Sequence, residues 1–510
     1  MTRCRWLLLA ALLIGPAAGC GDASPEADSS RSGSPSRTDK PDTAVPDAGP
    51  TSQPDGGASS PAPVLGAAPV RAGLARDELR GAIDRAAAYL VRACGEDGKF
   101  VYCVDLDPTV TPEPKYNMLR HAGAIYALGM AEQRRADAAI EAAMVRAAGF
   151  LQRRAIGPVP QQEGMRAVWS DPELTGTDGP LQAKLGGAGL GLVALLSVER
   201  ARPGLISRDE LRALGRFVVW MQKEDGGFYS KYLPEGSGRD DSWTSLYYPG
   251  EAALGLLMLD EHDPSPEWRA AAARAIAYLA RMRRDRVRVE ADHWALLATA
   301  KLLEAAEGRS AAVDREAALR HAAQVCEAIL EAKPRYTPSR RTAGCLTADG
   351  RTCPTATRLE GLLAALTFLP PEKAALRARI EEAVHEGIAF LVRAQVQDGP
   401  HSGAMPRAPE PSGPDDRRAT EVRIDYVQHA LSAMIQYERT FYDDAERRGH
   451  LPSRRGASGP QGQSKIKYPN PSATGSIAAG VLQDWKPRPG TVRCKPTAQT
   501  LRARGNSPVS

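Results

Sequence analysis

The sequence is poor in aromatic residues and carries little excess charge. Aromatic residues make up 5% of its 510 residues, and the apolar content is mostly Ala and Leu, which favour helices. The net charge is +5, and no basic run is interleaved with aromatic residues. Surfaces that bind nucleic acid usually carry a strong positive charge and basic runs interleaved with aromatic residues. We therefore do not expect a nucleic-acid partner.

Common metal-binding patterns are also missing from the sequence. It contains no His-Glu-x-x-His motif, and no two cysteines are separated by only two residues. We therefore expect neither a metal ion nor another cofactor.

Four of the eight cysteines form two pairs that are close in sequence. Cys94 and Cys103 lie on either side of a Gly-Glu-Asp-Gly turn, and Cys345 and Cys353 lie on either side of Thr-Ala-Asp-Gly-Arg. Each pair brackets a turn, so we expect two disulfides, which suit an exported protein. Zinc binding is the alternative interpretation of these pairs.

The first residues have the pattern of an export signal. Two arginines precede the apolar stretch 6–14, which is too short to span a bilayer. The small residues before Cys20 resemble the lipobox of bacterial lipoproteins. This resemblance implies that a signal peptide, residues 1–19, is removed and that Cys20 receives a lipid. An ordinary secretory signal is the alternative.

The next segment predicts a flexible tether. Residues 20–75 are rich in Ser, Pro, Asp and Gly and contain few large apolar residues. Such a segment cannot bury enough apolar surface to become ordered. We therefore expect an exported protein whose lipid holds it to the membrane at the bacterial cell envelope, in the periplasm or at the outer membrane.

Between residues 76 and 442 the apolar residues recur at helical spacing. Amphipathic helices are predicted at 77–94, 138–155, 208–223, 267–284, 315–331 and 377–395. Helices that are apolar nearly all round are predicted at 119–132, 185–199, 249–260, 292–306, 357–369 and 425–439. The two kinds alternate, so the first kind is expected outside and the second inside. Six such pairs predict one closed ring of helical hairpins.

The connecting loops differ in length on the two ends of this ring. Most loops that lead into inner helices are long, and long loops often carry function. Alternating residues after Gly98 and Gly227 predict short β-hairpins within them. Residues 443–510 are rich in Ser, Gly, Pro and Arg, and we expect them to be a disordered tail.

This helical repeat resembles the six-hairpin (α/α)6 toroids over residues 75–440. The resemblance implies an all-α fold and a place among glycoside hydrolases, polysaccharide lyases and sugar epimerases. The stretch from Gln222 to Phe228 also resembles the repeat loops of terpenoid cyclases and prenyltransferases. The sequence departs from that second group because it has no Asp-x-Asp-Asp motif, and its low aromatic content suits carbocation chemistry poorly.

The first turns of the inner helices supply the candidate site residues. We predict as catalytic residues His121, Glu251, Asp292, His293, Glu360 and Asp425. We predict as substrate-binding residues Tyr116, Asn117, Arg120, Tyr247, Tyr248, Trp294, Arg358 and His429. Carboxylates and imidazoles transfer protons, arginines bind anions, and six helix N-termini favour an anionic ligand.

Each candidate also has a structural alternative. Asp292 and Asp425 are possible N-caps, and Thr357 with Glu360 has the spacing of a capping box. The leading hypothesis is an enzyme that binds or processes an acidic carbohydrate as a hydrolase, lyase or epimerase. A toroid that only binds saccharide or protein, and a terpenoid-cyclase-like enzyme, are the alternatives. The oligomeric state stays open.

Overall fold

The structure is a computed structural model that describes residues 74–306, 314–334, 339–413 and 416–443. Six outer helices in this part are α1 (Arg76–Ala93), α3 (Ala138–Arg154), α6 (Arg208–Trp220), α8 (Pro266–Arg283), α10 (Arg315–Glu331) and α12 (Ala374–Ala394). They alternate with six inner helices, α2 (Met118–Arg134), α5 (Leu185–Ala201), α7 (Tyr248–His262), α9 (His293–Ala306), α11 (Thr352–Phe368) and α13 (Ile424–Glu438). The short helix α4 (Pro172–Thr175), a 3-10 turn (Pro371–Lys373) and a π turn (Arg439–Asp443) complete the helical elements.

The two kinds of helix differ in burial as their sequences predict. Helix α6 buries Leu211, Leu214 and Phe217 on one face, whereas its charged residues lie on the other. Helix α5 is buried from Leu185 to Glu199 without interruption. A helix with no polar face must be surrounded by protein, so α5 lies inside the ring.

The inner helices form a closed ring. Each packs against the next along the chain, and α13 packs against α2 as well as α11. Helices α5 and α7 can approach each other closely because glycines lie at their contact. A Cβ atom on Gly189 would lie 2.7 Å from the Ala252 nitrogen, and one on Gly255 would lie 2.6 Å from the Gly189 oxygen. Side chains at these positions would force the two helices apart.

Among the described residues, seven short strands lie in the loops that lead into the inner helices. They are β1 (Cys103–Asp105), β2 (Ile156–Val159), β3 (Gln162–Ser170), β4 (Gln182–Lys184), β5 (Lys231–Leu233), β6 (Gly238–Asp240) and β7 (Glu421–Arg423). Strands β2 to β6 form one antiparallel sheet in chain order. The hairpin predicted after Gly227 is confirmed as β5 and β6.

The pairing predicted after Gly98 is wrong. The alternating residues there form β1, but β1 pairs with the distant strand β7, with Cys103 opposite Arg423. Both strands border the junction between the first and last helical pairs. Their pairing therefore joins the two ends of the ring, whereas a local hairpin would not.

The structure corrects the two predicted disulfides, because Cys94, Cys103, Cys345 and Cys353 are all free thiols. The Cys94 Sγ atom lies 3.5 Å from the Ala143 carbonyl oxygen, between α1 and α3. Cys103 instead lies in β1. Cys345 Sγ contacts the Thr355 hydroxyl at 3.1 Å.

Helix α11 begins at Thr352, five residues earlier than predicted. Pro354 lies in its first turn, where a missing backbone N–H breaks no helical hydrogen bond. Thr357 is therefore not an N-cap, and its hydroxyl donates to the Pro354 carbonyl at 3.0 Å. The capping-box interpretation is wrong, and Glu360 is left for another role.

The predicted signal peptide, the lipidated Cys20, nearly all of the tether and all but the first residue of the tail lie outside the described residues. They remain predictions from the sequence. In the described part, no helix is both long enough and apolar enough to cross a membrane.

Candidate functional site

A cavity of about 1020 Å³ opens at the end of the ring where the inner helices begin. All six inner helices contribute residues to its wall, together with the loops that precede several of them. The wall carries acidic, basic and aromatic side chains. The ring therefore does bring residues from the whole length of the chain to one place.

Most of the predicted site residues lie in or beside this cavity. Its wall includes Tyr116, Asn117, Arg120, Tyr247, Tyr248, Glu251, His293, Trp294, Arg358, Asp425 and His429. Glu360 is buried behind the wall, where it contacts His429. His121 and Asp292 do not line the cavity.

Two imidazoles face each other in the cavity wall. His293 begins α9 and His429 lies in the second turn of α13, and their ring centroids are 5.6 Å apart in an edge-to-face arrangement. The Nδ1 atom of His429 lies 2.8 Å from Oε2 of Glu360 on α11. The Nε2 atom of His293 lies 3.7 Å from the same oxygen. Three different inner helices thus position this group.

The two imidazoles have opposite electrostatic surroundings. Burial lowers the pKa of His293 well below its ordinary value, and the neighbouring His429 lowers it further. Burial also opposes the charge of His429, but Glu360 outweighs it and raises the pKa of His429. His293 is therefore neutral near pH 7, whereas His429 keeps its proton to a higher pH than a free imidazole does.

His293 has unused hydrogen-bonding capacity. Among the described residues, neither of its ring nitrogens has a hydrogen-bond partner. Tyr247 and Trp294 pack against its ring, with centroid distances of 5.0 Å each. A buried polar group without a partner is costly, so a group kept in this state in a cavity wall is a candidate for ligand contact.

The same three residues also have the spacing of a metal site. The donor atoms of His293, Glu360 and His429 lie within 4.8 Å of one another. Two histidines and one glutamate form a known ligand set for zinc. Glu360 and His429 are also in direct hydrogen-bond contact, the arrangement of an acid–base pair. Chelation distinguishes the two assignments.

Asp425 is held by two arginines. The Nε and Nη2 atoms of Arg423 bind its two oxygens at 3.0 and 2.9 Å, and Arg120 Nε lies 3.1 Å from Oδ2. Burial opposes its charge, but the two guanidinium groups lower the pKa of Asp425 to about 2. Asp425 is therefore ionised, and it is not the N-cap of α13, since that position belongs to Arg423.

Glu251 is an acidic residue of the wall whose Oε2 atom has no hydrogen-bond partner among the described residues. Its carboxyl group lies over Gly186 of α5, where a Cβ atom would come within 2.1 Å of Oε2. Burial raises the pKa of Glu251 to about 8, and Asp292 adds to this effect. Glu251 is thus mainly protonated at neutral pH and is a potential proton donor.

His121, predicted as catalytic, lies in the core between α2 and α3. Its Nδ1 atom is 2.8 Å from the Tyr116 hydroxyl, and its Nε2 atom is 2.9 Å from the Ala147 carbonyl oxygen. Burial lowers its pKa to about 4. These contacts satisfy both ring nitrogens, so His121 connects two helices and leaves no nitrogen for a ligand.

Asp292, also predicted as catalytic, caps α9. Its Oδ1 atom accepts from the Ala295 backbone N–H at 3.0 Å, and its Oδ2 atom accepts from Arg283 at 2.8 Å. The residue is fully buried. Asp292 is therefore an N-cap, because both of its carboxylate oxygens accept hydrogen bonds behind the cavity wall.

The wall also contains residues that were not predicted from the sequence, among them Tyr102, Arg423 and Gln428. Tyr102 follows Gly98 in the alternating stretch, and its hydroxyl accepts a hydrogen bond from Arg120. Arg423 immediately precedes α13 and lies two residues before Asp425. Gln428 is one residue before His429. Proximity to predicted site residues was the only sequence signal for them.

No family model and no curated protein matches this sequence. Among solved structures, an unsaturated glucuronyl hydrolase specific for heparin aligns with a TM-score of 0.50 and 12% identity, covering 72% of this chain and 98% of that one. A D-mannose isomerase aligns with a TM-score of 0.49 and 12% identity, covering 71% and 98%. A cellobiose 2-epimerase from Spirochaeta thermophila aligns with a TM-score of 0.46 and 16% identity, covering 71% and 98%.

These similarities concern the fold, because the sequence identities are low. The chain has an (α/α)6 toroid fold, as its helical repeat predicts. A shared fold does not determine the reaction. The side chains of the cavity wall therefore carry the evidence on function.

Proposed function

We propose that this protein is a carbohydrate-processing enzyme that moves a proton on its substrate, as an epimerase or isomerase does. The observation that carries the proposal is the pair of facing imidazoles, His293 and His429, with Glu360 in contact with the second. A neutral base and a protonated acid within one cavity are the two groups that such a reaction needs.

The proposed reaction begins at a carbon next to a carbonyl group. Neutral His293 removes the proton from this carbon, and the bonding electrons move toward the carbonyl oxygen. Protonated His429 donates its proton to that oxygen, which gives a neutral enediol. Protonated His293 then returns its proton, either to the opposite face of the same carbon after that carbon has rotated, which inverts it, or to the adjacent carbon, which produces an isomer. In either case neutral His429 takes a proton back from the enediol hydroxyl that becomes the product carbonyl, so both imidazoles regain their starting charges.

Glu360 acts in this scheme as a positioning residue. Its contact with Nδ1 of His429 fixes the orientation of that imidazole. The other ring nitrogen, Nε2, lies 3.5 Å from the Gln428 side-chain nitrogen and is the atom that we assign to the substrate. Its negative charge also favours the protonated form of His429. Tyr247 and Trp294 shield His293 from water, which keeps the base neutral.

A saccharide is the ligand that best fits the cavity. Its volume of about 1020 Å³ exceeds what one small molecule needs, and its wall combines charged groups with aromatic rings. The heparin-specific glucuronyl hydrolase that shares this fold is named for a carbohydrate substrate, which supports the same ligand class here.

Hydrolysis is the second candidate reaction, and Glu251 is the observation that favours it. A carboxylic acid that is protonated at neutral pH can act as the general acid of a glycosidase. Asp425 is the ionised carboxylate of the same wall, but two arginines occupy its oxygens. This pairing makes it a poorer base or nucleophile than a free carboxylate.

A panel of neutral and acidic reducing sugars and disaccharides tests the proposal by NMR analysis of the products. We expect an epimer or isomer of at least one sugar, with equal rates in the presence and absence of EDTA. Cleaved glycosidic bonds without isomerisation would favour the hydrolase. Loss of activity on chelation would assign His293, Glu360 and His429 to a metal ion. Sugars that bind and remain unchanged would support a binding protein.

We also propose, from the sequence alone, that the protein is exported and anchored by a lipid on Cys20. The small residues before Cys20 and the polar stretch after it support this proposal. Mass spectrometry of the protein from membranes is expected to find Cys20 as the modified first residue. An unmodified N-terminus at another position would contradict the anchor.

A further inference from the structure

Arg358 differs from the other arginines of the cavity wall in its partners. It lies in the second turn of α11, and its guanidinium group donates to the Leu346 carbonyl. Among the described residues, its contacts include no ion pair with a carboxylate. A guanidinium group has five N–H donors, so this single contact leaves most of its capacity unused.

The neighbouring arginines are neutralised by acidic residues. Arg120 and Arg423 both bind Asp425. Arg351 pairs with Asp349, the acidic residue that also lies near Arg358. Asp349 is thus paired with Arg351, and the charge of Arg358 has no acidic partner of its own among the described residues.

We propose that Arg358 binds the carboxylate of an acidic sugar, so that the substrate is a uronic acid or contains one. This inference names the substrate class of the proposed function and rests on it for the reaction, although binding is measurable without turnover. The planar guanidinium group matches a carboxylate with two parallel hydrogen bonds.

The position of Arg358 suits a group attached to the reacting sugar. Arg358, Tyr247 and the proposed base His293 line the same cavity, and the Tyr247 ring packs on His293 with a centroid distance of 5.0 Å. Burial lowers the pKa of Arg358, so its charge is incompletely solvated and an anion in the cavity would be favoured.

Isothermal titration calorimetry with glucuronate, glucose and glucose 6-sulfate tests the inference on the full chain. The wild type is expected to bind glucuronate more tightly than either other sugar. Arg358→Met is expected to weaken glucuronate binding by about 10- to 100-fold and to leave glucose binding unchanged. The control Arg379→Met removes an exposed arginine of α12 that pairs with Glu327, and is expected to bind all three sugars as the wild type does.

Arg358→Lys keeps the charge but not the planar fork, so it is expected to lose part of the preference for glucuronate. This variant decides the matter if Arg358→Met does not fold. The inference is overturned if the wild type does not prefer glucuronate, or if it binds glucose 6-sulfate more tightly than glucuronate. It is also overturned if Arg358→Lys binds glucuronate as tightly as the wild type does, or if Arg358→Met weakens glucose binding as much as glucuronate binding. Selective loss of glucuronate binding without any isomerisation would sustain the inference and reject the proposed function.

Discussion

Replacing His293 or His429 with asparagine is expected to lower kcat for epimerisation or isomerisation by about 100- to 10,000-fold, the usual contribution of an acid or base. His293→Asn removes the neutral base, and His429→Asn removes the protonated partner. Because neither change empties the rest of the cavity, KM is expected to change much less than kcat. Steady-state kinetics of the two variants measures both constants.

Two further variants make this prediction specific. His262→Asn, at the exposed end of α7, is expected to leave kcat unchanged. Glu360→Gln keeps the shape of the side chain but removes the charge that raises the pKa of His429. We expect it to lower kcat and to shift the basic limb of the pH–rate profile toward lower pH. Normal turnover in His293→Asn would reject the assigned base.

Glu251→Gln is expected to make stability less dependent on pH. Burial raises the pKa of Glu251 from 4.5 to about 8, so the folded protein holds this proton more tightly than the unfolded chain does. The stability due to this group is therefore present in full below pH 4.5 and is lost as the pH rises toward 8. Glutamine is neutral at every pH and removes this loss.

The size of the effect follows from the shift of the pKa. Between pH 5 and pH 8 the wild type is expected to lose about 3 to 4 kcal/mol more stability than Glu251→Gln does. Urea unfolding at the two pH values measures the difference. Because each protein is compared with itself at pH 5 and pH 8, any effect of the amide on stability that does not depend on pH cancels. Glu224→Gln, which changes an exposed glutamate, is the control and is expected to follow the wild type.

The same variant separates the two candidate reactions. A glutamine resembles the protonated form of Glu251, so turnover that depends on the imidazole pair is expected to fall less than about tenfold. A glycosidase that uses Glu251 as its acid would lose nearly all activity instead. If the stability of the wild type and of Glu251→Gln depended equally on pH, the Glu251 carboxyl group would be ionised near neutral pH in the folded protein.

The ring of helices was predictable because its signal is local and repeated. Burial of one face or of all faces follows from the pattern of apolar residues in each helix. The pairing of β1 with β7 was not predictable in this way, because the strands are far apart in sequence. The start of α11 was misjudged because Pro354 resembles a helix breaker, yet the first turn tolerates it.

The site was predictable as a set of helix starts, but not residue by residue. Arg120 and His121 are adjacent on α2, and adjacent helical residues point about 100° apart. Packing turns Arg120 toward Asp425 in the cavity wall, whereas His121 contacts Ala147 on the outer helix α3. The sequence contains no local signal for the rotation of α2 about its axis, so it does not distinguish the two.

The pairing of His429 with Glu360 also depended on tertiary structure. These residues lie on different inner helices and are 69 positions apart. Their contact raises the pKa of His429, whereas burial lowers that of His293, and neither local sequence indicates this difference. Only the closed ring brings α9, α11 and α13 together at one end.

Proton exchange with solvent tests the imidazole pair most directly. NMR of a substrate sugar in D2O follows the hydrogen on the carbon next to the carbonyl group during turnover by the wild type, His293→Asn and His429→Asn. We predict that the wild type replaces this hydrogen with deuterium and that both variants do so far more slowly. Product formed by the wild type without deuterium incorporation, or equally fast exchange in His293→Asn, would contradict the account.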